Sequence, residues 1–190
     1  MRVLSVLVWS ACTLPACGGS TGPAGQATTG NNTGPEVFTP AQVQAARAQC
    51  SRPDGPVQTF TTFGTVRTAL SRSWLLCSVQ GDGSGDTPTV SWATSSIELD
   101  ASGQWVTLGL DAQGGLVHVY GVNNQGDWEI EDGSDTTDAG ASAPISGGVS
   151  FILHFDSGGG NGGSVSFETG PMLMQWEPDY FISRYVALGP

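Results

Sequence analysis

Apolar and polar residues alternate along most of the chain after about residue 70, and this period of two is the pattern of half-buried strands. The run SWLLCSVQ at 73–80 is the clearest case, because its apolar residues at alternate positions share one face. Segments of the same kind follow at 90–93, 96–100, 104–111, 116–122, 127–131, 149–155, 164–169, 172–177 and 181–188. Short turns with glycine (ASG, AQGG and NNQG) separate several of them, which is typical of antiparallel hairpins.

This pattern predicts a mainly β fold, an antiparallel up-and-down meander of eight or nine strands. A meander of that size commonly removes its exposed edges by closing into a barrel. One or two short helices are expected before it. Thr39 is suited to cap a helix over 39–50 and Gln42 completes a capping box, while an apolar stripe predicts a second helix over 62–70.

The N-terminal segment predicts export. Its apolar run at 3–9 is shorter than the ~20 residues of a membrane-spanning helix and suits the apolar region of a signal. Leu14, Ala16 and Cys17 resemble a bacterial lipobox. The resemblance implies that residues 1–16 are a lipoprotein signal peptide and that the thiol of Cys17 receives a diacylglycerol. An ordinary cleaved signal with a soluble product is the alternative.

Residues 17–38 consist almost entirely of glycine, serine, threonine, proline, asparagine and alanine after the cysteine, which predicts a flexible lipid-anchored linker. Gly18 stands where, in lipoproteins of this kind, an aspartate retains the protein in the inner membrane. The resemblance therefore implies the outer membrane. The remaining chain, 39–190, has the length of one domain.

Four cysteines occur in the chain. Cys12 leaves with the signal and Cys17 takes the lipid, so Cys50 and Cys77 remain. A single remaining pair in an exported chain predicts a disulfide. A metal site would need C-x-x-C spacing or nearby histidines, and the cysteines have neither.

The charge of the chain excludes two classes of partner. Lys+Arg number 6 and Asp+Glu 17, which gives a net charge of -11. A surface of this sign repels phosphate backbones and anionic lipid headgroups, so we expect no nucleic acid and assign membrane attachment to the lipid alone. The same charge favours a basic envelope protein as a partner.

His118 and His154 are the two histidines, each in the middle of a predicted strand. A zinc site needs three or four ligands and a serine hydrolase needs its nucleophile on a special turn, and neither pattern is present. We therefore predict no catalytic residue, no metal and no cofactor, and we interpret both histidines as hydrogen-bonded barrel side chains. Asp127, Glu129 and Glu131 alternate with apolar residues, which indicates the outward face of a strand.

Three loop-like segments have compositions that resemble ligand sites. DGSGD at 82–86 and DGSDTTD at 132–138 have the alternating oxygens that suit calcium, but Thr87 and Ala93 stand where an EF-hand needs glycine and glutamate. They are predicted to be solvated acidic loops, with calcium binding left open. GGGNGG at 158–163 lacks the Lys-Ser/Thr of a phosphate-binding loop and is predicted to be a hairpin connection.

Several aromatic motifs carry a further resemblance. They are Trp74 at the start of the first strand, Ile97-Glu98-Leu99 with Asp100-Ala-Ser-Gly-Gln-Trp105, Gly126-Asp-Trp128-Glu-Ile130, and Tyr185-Val186-Ala187-Leu188. Over about residues 71–190 the chain resembles the small lipocalin-like domains of bacterial lipoproteins. The resemblance implies a lipocalin-like barrel that holds a small apolar ligand. The ligand-binding residues remain unknown, because the tryptophans suit either core packing or a cavity lining.

The expected function is therefore that of an outer-membrane-anchored lipoprotein whose β-barrel domain is not an enzyme and binds a small apolar ligand. The alternative is an acidic protein-interaction or structural module of the cell envelope.

Overall fold

Reciprocal caps begin both helices, of which the sequence predicts the one formed by Thr39 and Gln42. Helix α1 spans Pro40–Arg47 and helix α2 spans Phe63–Leu70. Before α1, the hydroxyl of Thr39 accepts a hydrogen bond from the amide of Gln42, whose side chain accepts one from the amide of Thr39. Two threonines cap α2 in the same way. The computed structural model describes residues 32–53, 55–81, 95–131, 149–168, 173–178 and 181–189.

The described residues form one ten-stranded antiparallel sheet. The strands are β1 Asn32–Phe38, β2 Ser73–Gly81, β3 Ser96–Leu99, β4 Gln104–Leu110, β5 Leu116–Tyr120, β6 Gln125–Glu131, β7 Val149–His154, β8 Gly160–Phe167, β9 Leu173–Pro178 and β10 Phe181–Leu188. The prediction of a mainly β, antiparallel domain with two short helices is confirmed. The strand predicted at 90–93 lies outside the described residues.

Strand β1 lies in the segment 17–38 that the sequence assigns to the linker. It pairs with β5, with Phe38 opposite Leu116, and its register is irregular. Val37 and Phe38 pack beside a buried cluster of the sheet. The segment NTGPEVF carries no alternation of its own, so only its distant partner strand makes it a strand.

The strand order is β1-β5-β4-β3-β2-β10-β9-β8-β7-β6, and the sheet curls into a half-barrel. One end of β4 has a second partner: Gln104, Trp105 and Val106 pair with β6, whereas the rest of β4 pairs with β5. We call this change of partner the fork. It corrects the predicted simple meander, because β6 follows β5 in the chain yet lies beside β4. The backbone amide of Thr107 bonds the carbonyl of Asn124, at the point where the chain crosses between the two.

Two buried clusters cover the two faces of the sheet. The inner cluster joins α2 to the concave face and includes Trp74, Trp105, Trp128, Phe151, Phe167 and Tyr185. The outer cluster joins α1, through Val43 and Ala46, to Leu75, Leu108, Leu116, Val186 and Leu188 on the opposite face. Adjacent residues such as Trp74 and Leu75 therefore enter different clusters, which is the period of two that the sequence displays.

The structure corrects a second prediction, because the last four residues of the glycine-rich segment 158–163 belong to β8 and not to a loop. Gly160 pairs with His154 and Gly162 with Ile152. A Cβ at Gly160 would lie 3.0 Å from Nδ1 of His154, and one at Gly162 would lie 3.3 Å from Cγ1 of Ile152. The glycines thus leave the room in which the two larger side chains of β7 lie.

The predicted disulfide is confirmed. Cys50, just beyond α1, is bonded to Cys77 on β2 across a sequence separation of 27 residues. Both cysteines are partly buried and pack against the outer cluster. The bond therefore holds the chain after α1 against the outer face of the sheet.

Removal of this bond is expected to destabilise the domain. The Cys50→Ala/Cys77→Ala variant should lose about 3.5 kcal/mol of unfolding free energy, because a loop of this length no longer restricts the unfolded chain. Urea unfolding measures the loss. A reductant should lower the stability of the parent protein by a similar amount and leave the double variant unchanged. A variant as stable as the oxidised parent would contradict the expectation.

Gly126 is required by a close approach of two strands at the fork. A Cβ at this position would overlap the backbone carbonyl oxygen of His154. That oxygen also accepts the indole N–H of Trp105, at 2.8 Å. Any side chain at position 126 must therefore displace β7 or break the tryptophan bond.

Gly126→Ala should cost about 3 kcal/mol of unfolding free energy, at the upper end of the range for overpacked sites, because the clash is with backbone. Thermal or urea unfolding tests this. Gly64→Ala is the matched control: its new Cβ would lie 3.7 Å from Oγ1 of Thr62, an ordinary contact, and stability should be unchanged or slightly raised. Equal effects of the two variants would refute the role of Gly126.

Candidate functional site

The inner face of the sheet is where the lipocalin-like resemblance implies a ligand. Trp74, Trp105 and Trp128 are no more than 2% exposed. Each donates its indole N–H to a backbone carbonyl: Trp74 to Leu70, Trp105 to His154 and Trp128 to Asp100. These three tryptophans are therefore core residues whose polar atoms are used by the fold.

Other rings pack against the indoles. Phe167 lies 6.1 Å from Trp74 and Phe151 lies 6.0 Å from Trp128, measured between ring centroids. The guanidinium of Arg67 stacks 4.5 Å above the ring of Trp128. Tyr185 is fully buried in the same cluster, and burial raises the pKa of its phenol well above the ordinary 10.0. The described interior is thus occupied by side chains.

A cleft of about 260 Å³ lies on the outer side of the fork. Residues of β3, β4, β5, β6 and the β3–β4 turn line it: Glu98, Asp100, Gln104, Trp105, Val106, Tyr120 and Gln125. We call it the fork cleft. It exists because β5 ends and β6 begins along the same edge of β4, so that the last residue of one and the first of the other lie at the same point of that edge.

A chain of hydrogen bonds supports one wall of the fork cleft. The Nε2 atom of His118 lies 3.1 Å from Oε2 of Glu98, and its Nδ1 atom lies 3.1 Å from the hydroxyl of Tyr120. The hydroxyl of Ser73 donates to the same carboxylate oxygen. Because an ionised carboxylate only accepts, the two contacts fit the tautomer of His118 that carries its proton on Nε2 and accepts from the tyrosine at Nδ1. This agrees with the interpretation of His118 as a hydrogen-bonded side chain.

The remaining wall of the cleft is rich in acceptors. The amide nitrogen of Gln104 donates to the carboxylate of Asp127, and that of Gln125 donates to Asp156 at 2.6 Å. Each glutamine then has its amide oxygen left as an acceptor. Asp100 adds a carboxylate that is itself the acceptor in a tight turn.

Asp100 is held in its ionised form. Partial desolvation by itself raises the pKa of this carboxyl, but hydrogen bonds outweigh it and lower the pKa from the ordinary 3.8. The donors are the hydroxyl of Ser102, at 2.7 Å, and the backbone amide of Gln104, at 2.9 Å, with the amides of Ser102 and Gly103. The carboxylate is therefore negative at neutral pH.

The other predicted site residues are dispersed. His154 pairs with Glu129 at 2.8 Å on the outer face of β6 and β7, separate from the pair that contains His118. Asp127, Glu129 and Glu131 all face outward and are exposed, as predicted. Among the described residues, no group of three or more histidine, cysteine or acidic side chains could hold a metal ion.

Several predictions fall outside the described residues: Cys17 with its lipid, and the acidic segments 82–86 and 132–138. Within the described part of the chain, no helix has the length and apolar character needed to cross a membrane. Comparison with known proteins finds no matching family model, no curated relative and no similar solved structure.

The sequence does not predict the fork cleft. Its lining residues are individually ordinary for strand ends, and the hairpin predicted at NNQG would place β6 beside β5 and leave no fork. Gly126 gave no signal of the close approach, because it falls in the predicted turn NNQG and before the strand predicted at 127–131.

Proposed function

We propose that this chain is a non-catalytic interaction module of the bacterial cell envelope, anchored in the outer membrane by lipid on Cys17. Its partner is a basic envelope protein. The lipobox resemblance of Leu14, Ala16 and Cys17 supports the anchor, and the polar segment that follows the cysteine supports a tethered domain.

The proposed scaffold is a closed, lipocalin-like barrel. Support comes from the pairing of β2 with β10 and of β4 with β6, which gives each strand in the order β4-β3-β2-β10-β9-β8-β7-β6 a neighbour on both sides. Strands β1 and β5 then extend from one side of the barrel. Closure leaves the domain few free edges at which it could aggregate.

The observation that carries the proposal is the packing of the described interior. Trp74, Trp105 and Trp128 contact other rings and the backbone, so the concave face is engaged in folding. The carboxylates of Asp127 and Glu131 are instead exposed on the outer face. Recognition is therefore assigned to the acidic exterior, where complementary charge steers a basic partner and accelerates its association.

The histidines are assigned structural roles. Each has its ring held by a glutamate, His118 by Glu98 and His154 by Glu129. No catalytic residue and no cofactor is proposed.

The anchor is tested by labelling with palmitate in a bacterial host. The parent protein should incorporate the label and sediment with membranes, whereas Cys17→Ala should do neither, because the acylated thiol is missing. Cys12→Ala is the control and should behave like the parent. Labelling that persists in Cys17→Ala would overturn the lipoprotein assignment.

Partner recognition is tested with the full lipoprotein in neutral-lipid nanodiscs and a defined peptide rich in lysine and arginine. We expect binding that weakens at least tenfold between 50 and 500 mM salt, because screening shortens the range of the attraction. Asp127→Asn/Glu129→Gln/Glu131→Gln should weaken it severalfold at low salt. The control is a peptide of the same length in which acidic residues replace the basic ones.

Equal binding of the acidic and basic peptides would reject the interaction module. If the protein instead retains a fatty acid at all salt concentrations and its tryptophan fluorescence is quenched, the result would support a barrel that binds a small apolar ligand.

A further inference from the structure

We propose that the fork cleft binds the guanidinium group of an arginine side chain presented by the basic partner. This inference rests on the proposed function and specifies the chemistry of one site within it. It adds a defined pocket to an attraction that would otherwise be spread over the whole acidic surface.

The polarity of the cleft selects a ligand that donates hydrogen bonds. Its polar lining consists of the carboxylates of Glu98 and Asp100, the amides of Gln104 and Gln125, and the hydroxyl of Tyr120. Each amide nitrogen already donates to a carboxylate, that of Asp127 or of Asp156, and no arginine is among the described residues that line the cleft. A guanidinium, which has five N–H donors and no acceptor, complements such a wall.

The shape of the lining distinguishes a guanidinium from other cations. Tyr120 is 41% exposed at the rim, and its hydroxyl is held by His118. An aromatic ring fixed in this way offers a face on which a planar guanidinium stacks. Val106 on β4 supplies an apolar surface for the methylene stem of the same side chain.

The size of the cleft favours one side chain over a whole small molecule. Its volume of about 260 Å³ lies below the range of about 300–1,000 Å³ that is usual for drug-sized ligands. Buried arginines beside aromatic residues are also frequent hot spots at protein interfaces. The cleft is therefore the anchor point for one residue of a larger partner.

The first experiment titrates the isotope-labelled full chain in nanodiscs with Nα-acetyl-arginine amide, and with the lysine and citrulline analogues. Backbone amide shifts of Glu98, Val106, Tyr120 and Gln125 are followed by NMR. We expect saturable shifts with the arginine compound, an apparent affinity at least threefold weaker with lysine, and at least tenfold weaker with neutral citrulline. Equal affinities for arginine and lysine would overturn the assignment of a guanidinium site.

The second experiment repeats the arginine titration on variants. Glu98→Gln and Tyr120→Ala should weaken binding about tenfold, whereas Tyr120→Phe, which keeps the ring, should stay within threefold of the parent. Asp111→Asn is the matched control: it removes one negative charge in the β4–β5 turn, outside the cleft, and keeps the Oδ1 acceptor for the amides of Gln113 and Gly115, so affinity should change less than twofold. An equal loss in Glu98→Gln and Asp111→Asn would show general charge attraction and overturn the site, while the interaction module would stand.

Val106→Arg provides a test that does not depend on removing a supporting residue. Its side chain should occupy the fork cleft from within and reduce binding of the arginine compound at least tenfold. The basic peptide should still bind through the exposed carboxylates of β6, with a salt dependence like that of the parent. Unchanged binding of the arginine compound to a folded Val106→Arg protein would place its site elsewhere. Loss of peptide binding in every protein, parent included, would instead reject the proposed function.

Discussion

The hydrogen-bonding requirement of β4 is the constraint on which the arrangement of this domain depends. A buried strand cannot leave its backbone groups unpaired, and β5 covers only part of β4. The remaining part, Gln104 to Val106, is paired by β6. Because β4 changes partner at the fork, β6 and the strands that follow it continue the half-barrel from one part of β4. Strands β5 and β1 extend from the other part. The close approach at Gly126 is the steric condition for it.

The two faces of the sheet are stabilised in different ways. The inner face is filled by aromatic rings and by α2, whose Val66 and Leu70 are fully buried in the inner cluster. The outer face has a smaller apolar cluster under α1, and the disulfide from Cys50 to Cys77 joins this helix region to β2. A covalent link contributes most where the apolar contact is limited, because it acts on the unfolded chain and needs no large core.

The proposed recognition at the exterior combines two features of the domain, packing inside and charge outside. The indole groups are engaged by the fold, whereas carboxylates and amides on the outer face are accessible around the fork. At the fork they are combined with an exposed aromatic ring, Tyr120, and with a concave surface. Charge alone attracts many basic molecules, whereas concavity and a planar ring distinguish among them. The proposed steering by surface charge and the proposed fit at the fork cleft are thus the long-range and the local part of one interaction.

The sequence by itself determined the local structure. Three features could be predicted, because each depends on neighbours in the chain or on the number of cysteines. They are the alternation in SWLLCSVQ, the capping pair Thr39 and Gln42, and the pairing of the last two cysteines. The tertiary structure alone decided that β6 pairs with β4, that 32–38 is a strand and that the tryptophans at 74, 105 and 128 face the core. Strand partners and the inward face are set by contacts between segments far apart in sequence. Alternation with a period of two predicts that a strand has two different faces. It does not predict which face is buried or which strand lies next to it.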